Sequence, residues 1–122
     1  MSYWYLASPY SLYPDGLDAA HIEVCKAAGL LIKKKIPVYS PIAHGHMIAI
    51  AAKIDPKDHN IWIPSQKPMM DEAKGLIVLE MEGWRNSYGV NVEIDHFRER
   101  GKRIVHMTPG LVPMEFCESI DP

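Results

Sequence analysis

The sequence predicts a three-layer α/β domain: a doubly wound parallel sheet of four to five strands with helices on both faces. Short apolar runs alternate with helix-length segments along the chain, the order that strand, right-handed crossover helix and strand produce. One run, Gly75 to Met81 (GLIVLEM), is apolar almost throughout rather than at every second position, as in a central strand covered on both faces. At 122 residues, 48% of them hydrophobic and with no Ser-, Gly- or Pro-rich break, residues 1–122 fit one domain, since two would each lack a core.

Tyr3 to Ala7 is an aromatic and apolar run stopped by Ser8 and Pro9, hence a first strand ending in a turn. From Leu17 onward His21, Val24, Ala28 and Leu31 recur at steps of four and three, so a helix capped by Asp15 or Asp18 turns one face to the sheet. Lys33 to Lys35 at its end suit the negative pole of the helix dipole and face solvent. Ile36 to Tyr39, closed by Ser40 and Pro41, is a second short strand, and His44 to Ile54 is a helical segment. Pro56, Pro64 and Pro68 divide Asp55 to Pro68 into irregular turns, leaving Met69 to Lys74 as a last helical turn or two before the Gly75 strand. Ser87 caps the next helix, whose buried stripe is Val90, Ile94 and Phe97; Gly101 and Lys102 stop it, and Arg103 to Met107 is the last strand. Residues 108–122 carry no clear period and are expected to form a tail against a partner subunit.

Composition narrows the function classes. Thirteen Lys and Arg stand against fifteen Asp and Glu, for a net charge of −2, and no basic stripe is present, which argues against a nucleic-acid polymer as partner. Cys25 and Cys117 are the only cysteines and form no CxxC spacing, so both are expected to be buried thiols of a reduced, cytoplasmic protein. No apolar run reaches the roughly 18 residues of a membrane span, and the N-terminus lacks the basic-then-apolar pattern of a leader, so no membrane partner is expected.

In a flavodoxin-like or Rossmann-like sheet, ligands sit beyond the carboxyl ends of the strands, where strand order reverses. That brings together the loop Ala7 to Ser11 and the loop Glu82 to Gly89. The second runs into WRNSYGVNVE, Trp84 to Glu93, the most telling segment of the chain. Ser87 and Gly89 open a helix whose first amides make an anion-friendly cradle, and Glu93, one turn further in, leans back over it. Taken singly, a helical glutamate is usually solvated, Ser87 is a cap and Tyr5 a core side chain; Ser87 and Gly89 upstream of Glu93 point to chemistry. His44 and His46 stand at alternate positions with Asp58 and His59 downstream, yet no third ligand has a recognised metal spacing, so no metal and no other cofactor is expected.

Three segments, YLASPY (5–10), AKGLIVLE (73–80) and SYGVNVEIDHFRERGKRIV (87–105), resemble the nucleoside 2-deoxyribosyltransferase-like superfamily. The motif is nearest to that of nucleoside 5'-monophosphate N-glycosidases of the 2'-deoxynucleoside 5'-phosphate N-hydrolase type. The resemblance implies that Glu93 is the nucleophile at the anomeric carbon with Tyr5 beside it, and that Ser87 and Gly89 hold a 5'-phosphate. It further implies a homodimer or higher homo-oligomer. Where that family carries an aspartate about seven residues before the matched alanine, this chain has Gln66, so Asp71, nearer the strand, becomes the candidate proton donor. The first loop is Ser8-Pro9-Tyr10-Ser11 rather than glycine-rich and arginine-bearing, which leaves Ser8 to bind substrate and Arg85 to supply the cation. Trp62, Trp84, Met69 and Met70 are candidates to sandwich a flat base, with His44 at its edge. The expected activity is hydrolysis of the base–sugar bond of a (deoxy)nucleoside 5'-monophosphate. The alternatives are base exchange by a deoxyribosyltransferase and a non-catalytic nucleotide-binding module.

Overall fold

Strand β1 (Trp4–Ala7) sends Trp4 and Leu6 into one core and Tyr5 and Ala7 into another, the alternation that a strand imposes on its side chains. The computed structural model describes residues 2–116. Along the chain β1 is followed by α1 (Leu17–Lys33), β2 (Val38–Tyr39), α2 (Pro41–Ala52), α3 (His59–Glu72), β3 (Gly75–Leu79), a short 3-10 turn at Trp84–Asn86, α4 (Tyr88–Glu99) and β4 (Arg103–Met107). The four described strands are all parallel and lie in the order β2-β1-β3-β4, the flavodoxin-like sheet that the sequence predicts.

Helices cover both faces. On one, Ala20, Val24, Ala27 and Leu31 of α1 pack on Trp4, Leu6, Ile77, Leu79, Val105 and Met107. On the other, Met70 of α3 and Val90, Ile94 and Phe97 of α4 pack on Tyr5, Ala7, Leu76 and Val78. All five residues of β3 are buried, which is why its sequence does not alternate. Among the described residues no helix is long and apolar enough to cross a membrane.

Several elements depart from the local signals. The inward face of α1 keeps the predicted Val24 and Leu31, with Ala20 and Ala27 buried where His21 and Ala28 were expected. Its N-cap is Gly16, with no side-chain cap bond from Asp15 or Asp18. Helix α2 starts three residues early because Pro41 takes the first helical position and Ser40 Oγ accepts a 3.0 Å bond from the Ala43 amide. The stretch expected to be irregular is mostly helix: Asp58 caps α3, accepting from the Asn60 amide at 3.1 Å, and the helix runs through Pro64 and Pro68. Four residues apart, both prolines lie on its exposed side, where water can reach the carbonyls that they leave unbonded. Cys25 is exposed, not buried, because it stands one position past the inward-facing Val24. From the predicted tail Phe116 reaches the core, its buried ring packing edge-on against Trp4 at 5.1 Å, while Leu111 and Met114 stay exposed. Residues 117–122, with Cys117, lie outside the described residues.

Gly75 shows how tightly β1, β3 and β4 are knit. It pairs with Trp4 on one side and Arg103 on the other, and a Cβ there would run into the Trp4 ring and stand 2.9 Å from the Arg103 carbonyl oxygen. Gly75→Ala is expected to destabilise the fold by roughly 1–3 kcal/mol through overpacking. In urea the midpoint should fall while the slope of the transition is retained.

Candidate active site

The chain leaves β1 toward α1 on one face and leaves β3 toward α4 on the other, so the two loops part and open a crevice above the carboxyl ends of these neighbouring strands. The crevice encloses about 600 Å³, part of it open to solvent. Ser8, Tyr10 and Ser11 line it from the first loop, Ser87, Gly89 and Glu93 from the N-terminal half of α4 and its cap, and Lys57, His59, Trp62 and Gln66 from the first eight residues of α3 and the turn before it.

Glu93 lies on the inward side of α4, next to the stripe Val90, Ile94 and Phe97, and is 7% exposed. Burial pushes its carboxyl up to about 8, and the nearby Tyr5 hydroxyl only partly offsets this by favouring the charged form. The Tyr5 phenol is driven well above its usual range by burial and then by the Glu93 charge. The Tyr5 hydroxyl is turned to the Glu93 carboxyl, whereas the buried Ser8 Oγ makes no hydrogen bond among the described residues. An orphaned hydroxyl beside a desolvated acid and its buried phenol at the mouth of a parallel sheet is costly to maintain as packing alone, and perturbed groups of this kind concentrate where substrates bind.

Beside them is an anion cradle. Ser87 Oγ accepts a 3.3 Å bond from the Val90 amide, which leaves its own O–H to donate elsewhere. The first-turn amides of α4 lack intrahelical acceptors and carry the positive end of the dipole. Asn91 fastens the preceding turn, donating from Nδ2 to the carbonyls of Arg85 at 3.0 Å and Ser87 at 2.9 Å. A Cβ on Gly89 would meet no protein atom within 4 Å, so the backbone faces open crevice. Trp62 is held by its indole N–H, which donates to the Asp55 carbonyl at 2.9 Å.

The crevice thus gathers Glu93, Ser8, Ser87, Gly89, Gln66 and Trp62, with Tyr5 beneath it. Asp71 is not among its lining residues. Because residues 59–72 are one helix, the five residues from Gln66 to Asp71 span about 7.5 Å of axis, carrying Asp71 to the end of α3 that leads into β3. There Lys67 (3.2 Å) and His96 (3.0 Å) hold its carboxylate, with Arg100 at 3.8 Å, and Lys67 foremost draws its pKa down. A proton-donating Asp71 is therefore corrected by this placement.

Arg85 likewise turns away. Its guanidinium lies over the Trp84 ring at 5.1 Å in a separate surface hollow, and Lys57 is the cation at the crevice instead. His44 is exposed on α2 with its ring 5.7 Å from Tyr39, itself 5.5 Å from Tyr5, so it flanks the site without lining it. Trp84 packs against His106 at 5.5 Å and Met70 is in the core, which leaves Trp62 as the aromatic wall. His44, His46 and His59 diverge, against Tyr39, Tyr10 and Tyr88 in turn. Lys57 and His59 reach the site only through the fold of the turn before α3, and no spacing in the sequence marks them. Tyr10 stands inside the YLASPY segment, where its position after the first strand was the available signal.

A family model described as Domain of unknown function (DUF1937) matches residues 2–109, which include every crevice residue named above. No curated protein matches the chain.

Proposed function

The chain belongs to the family of the domain of unknown function DUF1937, and for this member we propose an N-glycosidase that hydrolyses the base–sugar bond of a ribo- or deoxyribonucleoside 5'-monophosphate. The observation that carries the reading is the buried Glu93 carboxyl at the inner end of an anion cradle formed by Ser87 and Gly89. Cleaving a C1'–N bond leaves positive charge on the sugar ring, which a carboxylate on that face stabilises or captures covalently. A phosphate on the α4 amides and the Ser87 hydroxyl would aim C1' at Glu93, so that binding energy remote from the reacting bond positions it. Trp62 offers a wall on which a flat base can stack, and Lys57 a second charge for the phosphate. The resemblance in the segments 5–10, 73–80 and 87–105 supports the same reading. Capture by the carboxylate followed by attack of water retains configuration at C1'.

A panel of ribo- and deoxynucleoside 5'-monophosphates is expected to yield free base, read by chromatography; silence across the panel would refute the proposal. The same reactions run with a second free base separate hydrolysis from exchange, since only a transferase makes a new nucleotide.

Gly89→Ala tests the cradle, because its effects on fold and function have opposite signs. Alanine in the first turn should stabilise α4 by roughly 0.5–1 kcal/mol, and no protein atom stands in its way. The added methyl would occupy space needed by the phosphate, so KM for the monophosphate should rise by about 10-fold or more. A higher melting temperature with an unchanged KM would place the phosphate elsewhere.

A further inference from the structure

A line of polar contacts leads from the crevice into the packing of α1 against α2. Tyr10, which lines the crevice, has its hydroxyl 2.5 Å from Nδ1 of His46. Nε2 of His46 lies 2.8 Å from Asp18 Oδ1. His46 is buried, with the ring of His21 stacked on it at 4.3 Å, whereas the Asp18 side chain is 88% exposed. The groups facing the imidazole are therefore Tyr10 from the first loop and Asp18 and His21 from α1. Burial foremost, and then His46, push the pKa of His21 down.

An ionised carboxylate only accepts, so Nε2 of His46 carries a hydrogen whatever its charge. In the neutral ring Nδ1 is then bare, and the Tyr10 hydroxyl donates to it. In the protonated ring Nδ1–H donates to the Tyr10 oxygen, and the Tyr10 hydrogen is released toward the crevice. One proton thus decides whether Tyr10 presents a donor or an acceptor to the occupant.

Resting on the glycosidase reading above, we infer that Tyr10, backed by His46 and Asp18, is the proton-transfer residue for the bond broken at Glu93. The neutral amide of Gln66 cannot play this part. In the first half, a Glu93 carboxylate oxygen bonds to C1' as the C1'–N bond breaks and its electron pair leaves on the base. Tyr10 gives that nitrogen its proton and takes one from Nδ1 of His46, which becomes neutral. In the second half, water bonds to C1' and the Glu93–C1' pair returns to the carboxylate. The proton of the water goes to Tyr10, whose own passes back to Nδ1. One proton leaves and one returns, so the protein ends as it began. Asp18 and His46 act as positioning residues that fix the tautomer, and the same hydroxyl serves as acid and then as base.

The test uses two substrates that differ only in leaving group: a nucleotide that the native protein turns over, and the same sugar 5-phosphate carrying 4-nitrophenolate, which departs without being protonated. Tyr10→Phe is expected to slow the nucleotide by roughly 10²–10⁴-fold. The same variant should release nitrophenolate in its first turnover at a near-native rate and then stall, with azide, which needs no deprotonation, restoring steady turnover. Asp18→Asn, at an exposed side chain, should show the same split at roughly 10-fold or more. Equal slowing of both substrates by Tyr10→Phe would overturn this assignment and leave the role of Glu93 standing. Failure of the native protein to release either leaving group would overturn both.

Discussion

Glu93→Gln is expected to abolish base release, by roughly 10³-fold or more, and to make the protein more stable in alkaline buffer. Both effects come from the same burial. The carboxyl titrates near 8 in the folded chain, against 4.5 for the ordinary group, because α4 presses it into the crevice floor away from water. Above about 4.5 the unfolded chain has lost this proton while the folded chain keeps it, so stability declines as pH rises to about 8 and then levels off. At about 1.4 kcal/mol per pH unit, the ionised carboxyl costs the fold on the order of 4–5 kcal/mol at high pH. Glutamine has nearly the same shape and no charge. Native and variant proteins should therefore unfold at similar urea midpoints near pH 4.5 and diverge through pH 8, the variant being the more resistant. Parallel stability curves across that range would show that Glu93 is not desolvated. Since the nucleophile must be ionised, the limb of the native kcat/KM profile that Glu93 governs should rise with pH toward the same value near 8.

Phe97→Ala is the other large effect. Phe97 is fully buried at the centre of the core that joins α4 to the sheet, with its ring 5.8 Å from that of Tyr5. Truncation removes a ring from a close-packed interior and leaves a cavity, at a cost of about 3–5 kcal/mol. Tyr5 loses the surface that holds it under Glu93, so base release should fall as well, although Phe97 lines no part of the crevice. Phe97→Leu, which refills most of the volume, should recover most of both losses. A loss below about 1 kcal/mol in Phe97→Ala would mean that the core collapses around the missing ring.

Most of the architecture could be read from the chain because its signals are local. The unbroken apolar run of β3 and the Ser87 cap with its stripe Val90, Ile94 and Phe97 each state their structure within a dozen residues, and the structure follows them. Helix α3 could not be read this way. Its prolines are breakers by local rule, and the helix survives them because both face outward while Met70 anchors the other side in the core. The same misreading displaced Asp71, whose place along the chain suggests the crevice only if the residues before it are irregular. Of the site, Glu93, Ser87, Gly89 and Ser8 were legible because the carboxyl ends of β1 and β3 gather them, and Trp62 and Gln66 also line the crevice. Lys57 and the pairing of Tyr10 with His46 were not, since each depends on how α2 and the turn before α3 settle against the sheet.

The two outer strands bear on how this protein behaves when crowded. β2 is two residues long, and β4 carries Arg103 and His106 exposed. An extended chain seeking to lengthen the ladder finds almost no template on one border and polar, hydrated side chains on the other. A parallel sheet with an interior this apolar would otherwise be a natural seed for fibrils; here the borders discourage it.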